Sequence, residues 1–325
     1  MTILFRAKKI WLAAIYGTVL AIIVVGGITR LTRSGLSITE WRPILGTLPP
    51  LSAADWQREF DLYRQTPEYR LVNKGMDLEG FKSIYFWEYI HRLLGRLVGL
   101  VTILPLLYFA FKRQVGWPLA GRILLLFCLG GLQGLLGWLM VKSGLVSEPR
   151  VNHIRLTLHL GLAVIIASLA LYFLLDLARV EGRGRLENRP DLAFSSHQVL
   201  AASGCVFLFA QILLGAMAAG LRSGHLYNTF PLMGGSFLPW EILGPTFWKE
   251  PGPMQLIHRL GAYLLLPLIL FLAWTVRDFA RDLSFALVSL FTVQFALGVL
   301  VVLMVAPVWL SSLHQIVGLS LLQVT

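Results

Sequence analysis

The sequence is poor in charged residues and in cysteine. Only 14% of its 325 residues are charged, whereas 56% are apolar, and the mean hydropathy is +0.70. Apolar surface on this scale cannot be hidden in one soluble core, which excludes an ordinary soluble domain. The two cysteines, Cys128 and Cys205, have no metal-binding or redox spacing. A disulfide-stapled fold is therefore excluded, and we expect both thiols to be buried and inert.

Long apolar runs occupy most of the chain. A helix that crosses the hydrocarbon core of a membrane needs about 20 mostly apolar residues, and the sequence contains eight such runs. They cover residues 10–29, 85–111, 123–141, 154–177, 198–219, 254–276, 283–304 and 306–324. The sequence therefore predicts an all-α membrane protein with eight transmembrane helices.

The basic residues indicate the orientation in the membrane. A net charge of +11 would suggest a nucleic-acid partner for a soluble protein, but short basic loops of a membrane protein mark its cytoplasmic side. Such residues precede the first run and join runs two to three, four to five and six to seven. We therefore expect cytoplasmic N- and C-termini and no nucleic-acid partner. No cleaved signal or transit peptide is recognisable, which favours a bacterial inner membrane.

Two parts of the chain resemble each other. EYIHRLLG at 88–95 matches QLIHRLG at 255–261, and GGITRLTRSG at 26–35 matches GAMAAGLRSG at 215–224. Gln133-x-x-x-Gly137 likewise resembles Gln294-x-x-x-Gly298. The repeat predicts two pseudo-symmetric four-helix bundles, an N-terminal half at 1–178 and a C-terminal half at 197–325, joined by a cytoplasmic linker at 179–196.

Four histidines lie inside the predicted helices, where a polar group is costly and marks a candidate functional site. They are His91, His159, His258 and His314. Each lies about five to eight residues from the outer end of its helix, within about 12 Å of the outer surface. Facing imidazoles in a helical bundle are typical haem-iron ligands, which predicts the pairs His91–His159 and His258–His314. A proton relay, a copper site and simple interhelical hydrogen bonds remain alternatives.

Arginines recur near the outer ends of these helices. Arg33 and Arg222, like Lys142, each precede a Ser-Gly pair at the end of an apolar run, and Arg92 and Arg259 directly follow a candidate ligand. Haem propionates are anions that guanidinium groups bind well, so these arginines are candidate haem-binding residues. The alternative is that the long cationic side chains only reach the membrane boundary. The long outer loops would cover the haem edges or dock a partner protein.

Several motifs together resemble the haem A synthase family. The motifs are GGITRLTRSGLSITEW, EYIHRLLGR, QGLLGWLMVKSGL, RLTLHL, AGLRSGHLYNTFPLMGG, QLIHRLGAY and LHQIVG. The resemblance covers nearly the whole chain. It is closest to the proteobacterial and mitochondrial branch, because the Gram-positive branch carries an outer-loop cysteine pair that this chain lacks.

The resemblance implies an oxidoreductase that oxidises a methyl group of haem O to the formyl group of haem A for cytochrome oxidase assembly. It implies haem b as redox cofactor, haem-iron ligands at the four helix histidines, and an essential carboxylate at Glu88. Haem O synthase and cytochrome oxidase assembly factors would be partners, and a homo-oligomer is compatible with it. The residues alone also fit a di-haem b cytochrome that takes electrons from quinol, or a haem carrier.

The two halves differ three residues before the first ligand, at Glu88 and Gln255. A carboxyl can transfer a proton or stabilise positive charge on a reacting carbon, and an amide can do neither. We therefore predict that Glu88 is catalytic and lies beside the substrate haem. That haem would be bound by His91, His159, Arg92 and Arg33. The haem b site would comprise His258, His314, Arg259 and Arg222. The alternative is that Glu88 only pairs with an arginine.

The ligand assignment predicts the optical spectrum of two variants. Replacing His258 or His314 by alanine is expected to remove the low-spin b-type spectrum, because each supplies an axial ligand, while the protein still inserts into the membrane. Visible spectra of the purified variants test this. Retention of the spectrum in both single variants would contradict the assignment.

Overall fold

The structure is a computed structural model that describes residues 3–41, 45–146, 150–182, 196–239 and 244–325. Within these ranges the chain forms helices and no β-strand, apart from one bridge between Met233 and Ser236. The α-helices are α1 (Ile3–Leu31), α2 (Ala53–Arg64), α3 (Pro67–Leu71), α4 (Leu78–Phe111), α5 (Trp117–Val146), α6 (His153–Gly182), α7 (Ser196–Leu221), α8 (Pro251–Val276), α9 (Arg281–Leu303) and α10 (Val308–Val324). The predicted all-α class is confirmed.

Seven of the described helices, α1 and α4 to α9, are long and apolar enough to cross a membrane. The chain is therefore a multi-pass membrane protein. Helix α10 is apolar but has 17 residues, which extend about 25 Å at 1.5 Å per residue. This is shorter than a hydrocarbon core of about 30 Å. The predicted eighth span thus has a helix of the right composition but marginal length.

The helix that carries His91 is longer than its apolar run. It begins at Leu78 instead of residue 85, because Asp77 caps it by accepting the N–H of Gly80 at 2.8 Å. His91 therefore lies on the order of 20 Å along α4 from its first residue. The predicted offset of His91 was wrong, since the first turns of α4 mix charged with apolar residues and lie before the apolar run. The common depth of the four histidines stays a prediction.

The segment between α1 and α4, predicted as a long loop, contains α2 and α3. Ser52 and Asp55 form a reciprocal capping box at the start of α2. Thr66 accepts the N–H of Tyr69 at the start of α3, which has Pro67 as its first residue. We call α2, α3 and the first turns of α4, residues 53–85, the outer cap, after the side of the membrane on which the sequence predicts them.

Aromatic side chains form the core of the outer cap. Phe60 and Phe81 have ring centroids 5.1 Å apart, and Trp56 and Tyr85 lie edge to face at 5.0 Å. Tyr63 stacks on Phe81 at 5.3 Å. Such pairs contribute about 0.5–1.5 kcal/mol each beyond their buried area. The cap is thus a small packed structure built onto α4.

Glu68 is a buried acid in the outer cap, with only 4% of its surface exposed. It accepts a hydrogen bond from the hydroxyl of Tyr63 at 3.3 Å, and Asn73 donates to the same hydroxyl at 2.6 Å. Burial and then the negative charge of Glu88 raise the pKa of Glu68 to about 8, against the opposing charge of Arg33. Its proton is therefore held across the neutral range.

The chain divides into two compact units. Unit 1 comprises Met1–Arg155 and Leu162–Arg189, and unit 2 comprises Leu156–Gly161 and Pro190–Thr325. The predicted linker at 179–196 lies mostly outside the described residues, since 183–195 are not described. The predicted halves 1–178 and 197–325 stay a prediction.

In unit 1, α4 packs against α1 and α5. Pro105 interrupts the hydrogen bonds of α4, because proline has no N–H to donate to the carbonyl four residues earlier. That carbonyl belongs to Val101, and it accepts the indole N–H of Trp11 from α1 at 2.8 Å. The neighbouring helix thus satisfies a group that lipid cannot.

In unit 2, each of α7 to α10 contacts the next, and α10 also contacts α7. Gln211 of α7 donates to the backbone carbonyl of His258 in α8 at 2.8 Å. Asn228 follows α7 and donates to the carbonyl of Val302 at the end of α9, also at 2.8 Å. These polar contacts join neighbouring helices of unit 2.

The cysteines only partly match expectation. Cys205 is half-buried, but Cys128 is exposed on the surface of α5. The expectation of two buried thiols was wrong for Cys128, because an apolar run predicts a helix for a lipid environment and does not say which face meets protein.

Glu68 makes a testable prediction about pH. The Glu68 carboxyl binds its proton more tightly in the folded chain than in the unfolded chain. Protonated Glu68 therefore contributes fully to the free energy of unfolding below a pH of about 4.5, and this contribution is lost as the pH rises through about 8. Glu68→Gln should raise the free energy of unfolding at pH 8.5 by on the order of a few kcal/mol and flatten its pH dependence. Thermal unfolding in detergent, followed by intrinsic fluorescence, measures this.

The matched control is Glu79→Gln, which replaces a largely exposed acid of the same region paired with Lys82. It should leave the pH dependence of the parent protein in place. An unchanged pH dependence in Glu68→Gln would contradict the prediction.

Candidate haem-binding sites

His258 of α8 and His314 of α10 face each other in unit 2. Their ring centroids are 6.4 Å apart and the ring planes are inclined at 80°. Two imidazole nitrogens on opposite sides of one metal ion lie about 4 Å apart, and the ring centroids lie further apart because each ring extends away from the metal. The Nδ1 atoms of both rings are buried, without a hydrogen-bond partner in the described ranges. The two rings are therefore close enough to bind one haem iron, and their role as its ligands stays a prediction.

Glycines make room for these imidazoles. A Cβ atom on Gly215 of α7 would lie 3.0 Å from Cε1 of His258, and one on Gly298 of α9 would lie 3.0 Å from Cε1 of His314. In unit 1, a Cβ on Gly26 of α1 would lie 2.9 Å from Cε1 of His91. Each ring thus rests against the bare backbone of a neighbouring helix.

His91 and His159 are placed on helices as predicted, in α4 and α6. His91 belongs to unit 1, whereas the stretch Leu156–Gly161, which contains His159, belongs to unit 2. The pairing of His91 with His159 stays a prediction from the sequence repeat.

Glu88 is buried in unit 1, with 2% of its surface exposed. Its Oε2 accepts hydrogen bonds from the hydroxyl of Ser37 at 2.7 Å and the N–H of Ile38 at 2.8 Å. Its Oε1 accepts two from Arg92, at 2.7 and 3.1 Å. The ion pair considered as the alternative to catalysis is therefore present. Four donors around one carboxylate suit an anion held in a fixed orientation.

Arg92 also holds the outer loop that follows α1. It donates to the carbonyl of Ile38 at 2.8 Å and to that of Glu40 at 3.2 Å. Its guanidinium lies 5.6 Å from the ring centroid of Trp41. The side chain therefore links the Glu88 carboxylate to the loop above it.

The matching residues of unit 2 make the matching contacts. Arg259 donates to the carbonyl of Tyr227 at 2.9 Å, and Tyr227 occupies the position in its repeat that Ile38 occupies in the first. Gln255, with 4% of its surface exposed, donates to the same carbonyl at 3.1 Å. The chemical difference is that Gln255 is a donor to the loop, whereas Glu88 is only an acceptor.

Arg33 and Arg222 occupy equivalent backbone positions. Both have left-handed backbone conformations, with φ of 55° and 61°, which are uncommon for residues other than glycine. The N–H of Arg33 donates to Arg30 and that of Ser34 to Thr29, which ends α1 in a Schellman motif. Both arginines thus lie where a loop leaves a long apolar helix.

Unit 1 contains a cavity of about 240 Å³. Its lining includes Arg92 and Lys142, together with the indole rings of Trp41 and Trp138. Lys142 lies over the ring of Trp138 at 4.8 Å. The four-residue spacing of Trp138 and Lys142 on one helix was a signal that could have found this wall.

Comparison with known proteins places the chain in a family. The family model described as COX15-CtaA, cytochrome oxidase assembly protein, matches residues 9–325. The chain belongs to this family. It is 44% identical to the haem A synthase of Parvibaculum lavamentivorans over 94% of this chain and 88% of that protein. It is 44% identical to the haem A synthase of Paracoccus denitrificans over 97% of this chain and 85% of that protein.

A third relative agrees with this assignment. The haem A synthase of Nitrosospira multiformis is 45% identical over 94% of this chain and 88% of that protein. The predicted resemblance to the haem A synthase family is therefore confirmed over nearly the whole chain. The matched region includes all four helix histidines.

The glycine contacts predict that alanine at these positions lowers haem binding without lowering the stability of the fold. Gly26→Ala, Gly215→Ala and Gly298→Ala should each favour the helix by about 1 kcal/mol, yet each new methyl group would displace an imidazole. We expect several-fold less bound haem per protein with no loss of folded protein, measured by pyridine haemochrome and size-exclusion chromatography.

The control is Gly130→Ala in α5, where a Cβ would meet nothing within 4 Å. It should keep the haem content of the parent protein. Full haem content in all three test variants would show that the glycines do not shape the sites.

Proposed function

We propose that this chain is a haem A synthase, which oxidises a methyl group of haem O to the formyl group of haem A. The main support is similarity to haem A synthases across 94% of the chain, joined to the facing pair His258 and His314. Haem A is the haem of the oxidase whose assembly the family serves. The assignment includes a bacterial inner membrane with both termini in the cytoplasm.

We propose that unit 2 holds haem b through His258 and His314. When bound, haem b would accept and donate single electrons. It would thereby supply the redox chemistry that the side chains themselves do not provide for the oxidation of haem O. Arg259 is suited to a propionate, because its Nε is buried and has no hydrogen-bond partner within the described part of the chain. Arg222, at the end of α7, would supply a second cation to the same face.

We propose that haem O is bound through His91 and His159, with Arg92 and Arg33 near its propionates. The cavity beside Arg92 supports an anionic edge, because Lys142 lines it as well. Its volume of about 240 Å³ is smaller than the roughly 300–1,000 Å³ of typical ligand sites. It therefore suits one edge of a porphyrin rather than the whole ring.

We propose that Glu88 acts on the substrate. It lies one helical turn from His91, so both side chains point to the same face of α4. Ser37, Ile38 and Arg92 fix the carboxylate before substrate arrives, and a preorganised anion stabilises positive charge on a reacting carbon without reorganisation. Electrostatic stabilisation fits these contacts better than proton donation does, because every observed partner donates to the carboxylate.

We propose eight spans in two pseudo-symmetric bundles, with α10 as the eighth. Two pairs of matched contacts support this repeat. Arg92 and Arg259 hold carbonyls at matching loop positions, and Gly26 and Gly215 seat matching histidines. Haem O synthase and oxidase assembly factors are the proposed partners, and self-association is compatible with the apolar outer faces.

The function is tested by identifying the porphyrins. The purified protein, expressed with a haem O supply, should contain haem b together with haem O and haem A, identified by mass spectrometry of the extract. An enzyme must release its product, whereas a di-haem b cytochrome keeps both groups. Extracts with haem b alone, unchanged by a haem O supply, would favour the cytochrome.

Glu88→Gln tests the catalytic role while preserving volume. We expect conversion of haem O to haem A to fall about a hundredfold or more, in the range typical of a lost acid–base or electrostatic group, with haem b retained. Gln255→Glu is the reciprocal control at the matched position and should not change which half converts haem O. Normal conversion in Glu88→Gln with haem b in place would limit Glu88 to anchoring the loop.

A further inference from the structure

Gln294 of α9 contacts the imidazole of His314. Its Nε2 lies 3.3 Å from Nε2 of His314. Gly298, one turn further along α9, lies against Cε1 of the same ring. The space for the amide comes from Gly318 of α10, where a Cβ would lie 2.8 Å from Nε2 of Gln294. The Gln-x-x-x-Gly sequence thus presents one amide and one open backbone surface to a single ring.

The two ring nitrogens of His314 have different surroundings. Nε2 meets Gln294, whereas Nδ1 is buried with no hydrogen-bond partner among the residues described. A metal-binding histidine is divided in this way, since its second nitrogen is held by a polar neighbour that sets the tautomer and the ring orientation. An amide carries a donor and an acceptor. With the amide of Gln294 turned so that Oε1 meets the ring, Oε1 accepts the N–H of Nε2 and Nδ1 is left unprotonated for a metal ion. Oε1 of Gln294 is itself buried and unpartnered within those residues.

We propose that Gln294 is a positioning residue that fixes the orientation and tautomer of His314 for haem binding. The inference rests on the proposed haem sites. It adds to them a residue that touches no haem but determines how firmly the ligand is presented.

Gln211 supplies the comparison that separates this role from helix packing. It is also a partly buried glutamine of unit 2, and it also donates from Nε2 to a haem-ligand residue, His258. It reaches the backbone carbonyl of that residue rather than the ring. Gln211→Leu therefore removes an interhelical hydrogen bond of the same kind without touching an imidazole.

The experiment compares Gln294→Leu, Gln294→Glu and Gln211→Leu in full-length protein purified with its haem. The rate of haem b transfer to excess apomyoglobin measures ligand firmness, and electron paramagnetic resonance of the oxidised protein reports ligand orientation. We expect Gln294→Leu to lose haem b about 10–100-fold faster with shifted g-values. Gln294→Glu keeps an acceptor oxygen and should restore slow loss, and Gln211→Leu should match the parent in both measurements.

Two results would overturn the proposal. One is parent-like haem loss and g-values in Gln294→Leu. The other is equal effects of Gln294→Leu and Gln211→Leu, which would assign the amide to helix packing. Failure of the haem site itself is recognised separately, because His258→Ala and His314→Ala would then keep the b-type spectrum.

Discussion

A backbone carbonyl or a side-chain amide inside a bilayer must find its partner within the protein, because lipid offers none. This constraint explains the contacts between the spanning helices. Trp11 reaches the carbonyl that Pro105 leaves open in α4, and Gln211 reaches across to α8. Some buried polar atoms have no such partner among the described residues, and Nδ1 of His258 and Nδ1 of His314 are two of them.

The need for a partner within the protein also distinguishes Glu88 from Gln255, which hold matching positions in the two repeats. Gln255 satisfies its loop by donating to a carbonyl, whereas Glu88 is surrounded by donors and is paired with Arg92. A buried anion is costly unless its partners are fixed, so the contacts around Glu88 stabilise the loop and hold the charge in place at once. Anchoring and catalysis are therefore compatible roles for one carboxylate, and a variant has to be measured for both.

Sequence patterns predicted the helical class, the placement of the four histidines on helices and the matching positions of Arg33 and Arg222. Each of these features leaves a local signature in the sequence. The patterns did not predict where α4 begins, because its first turns mix charged with aromatic residues and are held by Asp77 and the aromatic core of the outer cap. They also missed the contact of Gln294 with His314. That contact joins residues on different helices, and spacing along one helix carries no information about which side chain a neighbour presents.

The continuity of α4 has a consequence for the relation between the outer cap and the site. Phe81 and Tyr85 belong to the core of the cap, and Glu88 and His91 follow on the same unbroken helix. Each residue of an α-helix turns by about 100°, so the angular phase of the cap relative to the site is set by the residue count between Tyr85 and Glu88. One inserted residue there would rotate the cap by about 100° around the helix axis. Seven inserted residues, almost two full turns, would return it to within about 20° of its direction. The direction in which the cap lies around α4, relative to Glu88 and His91, is therefore fixed by the number of residues between them.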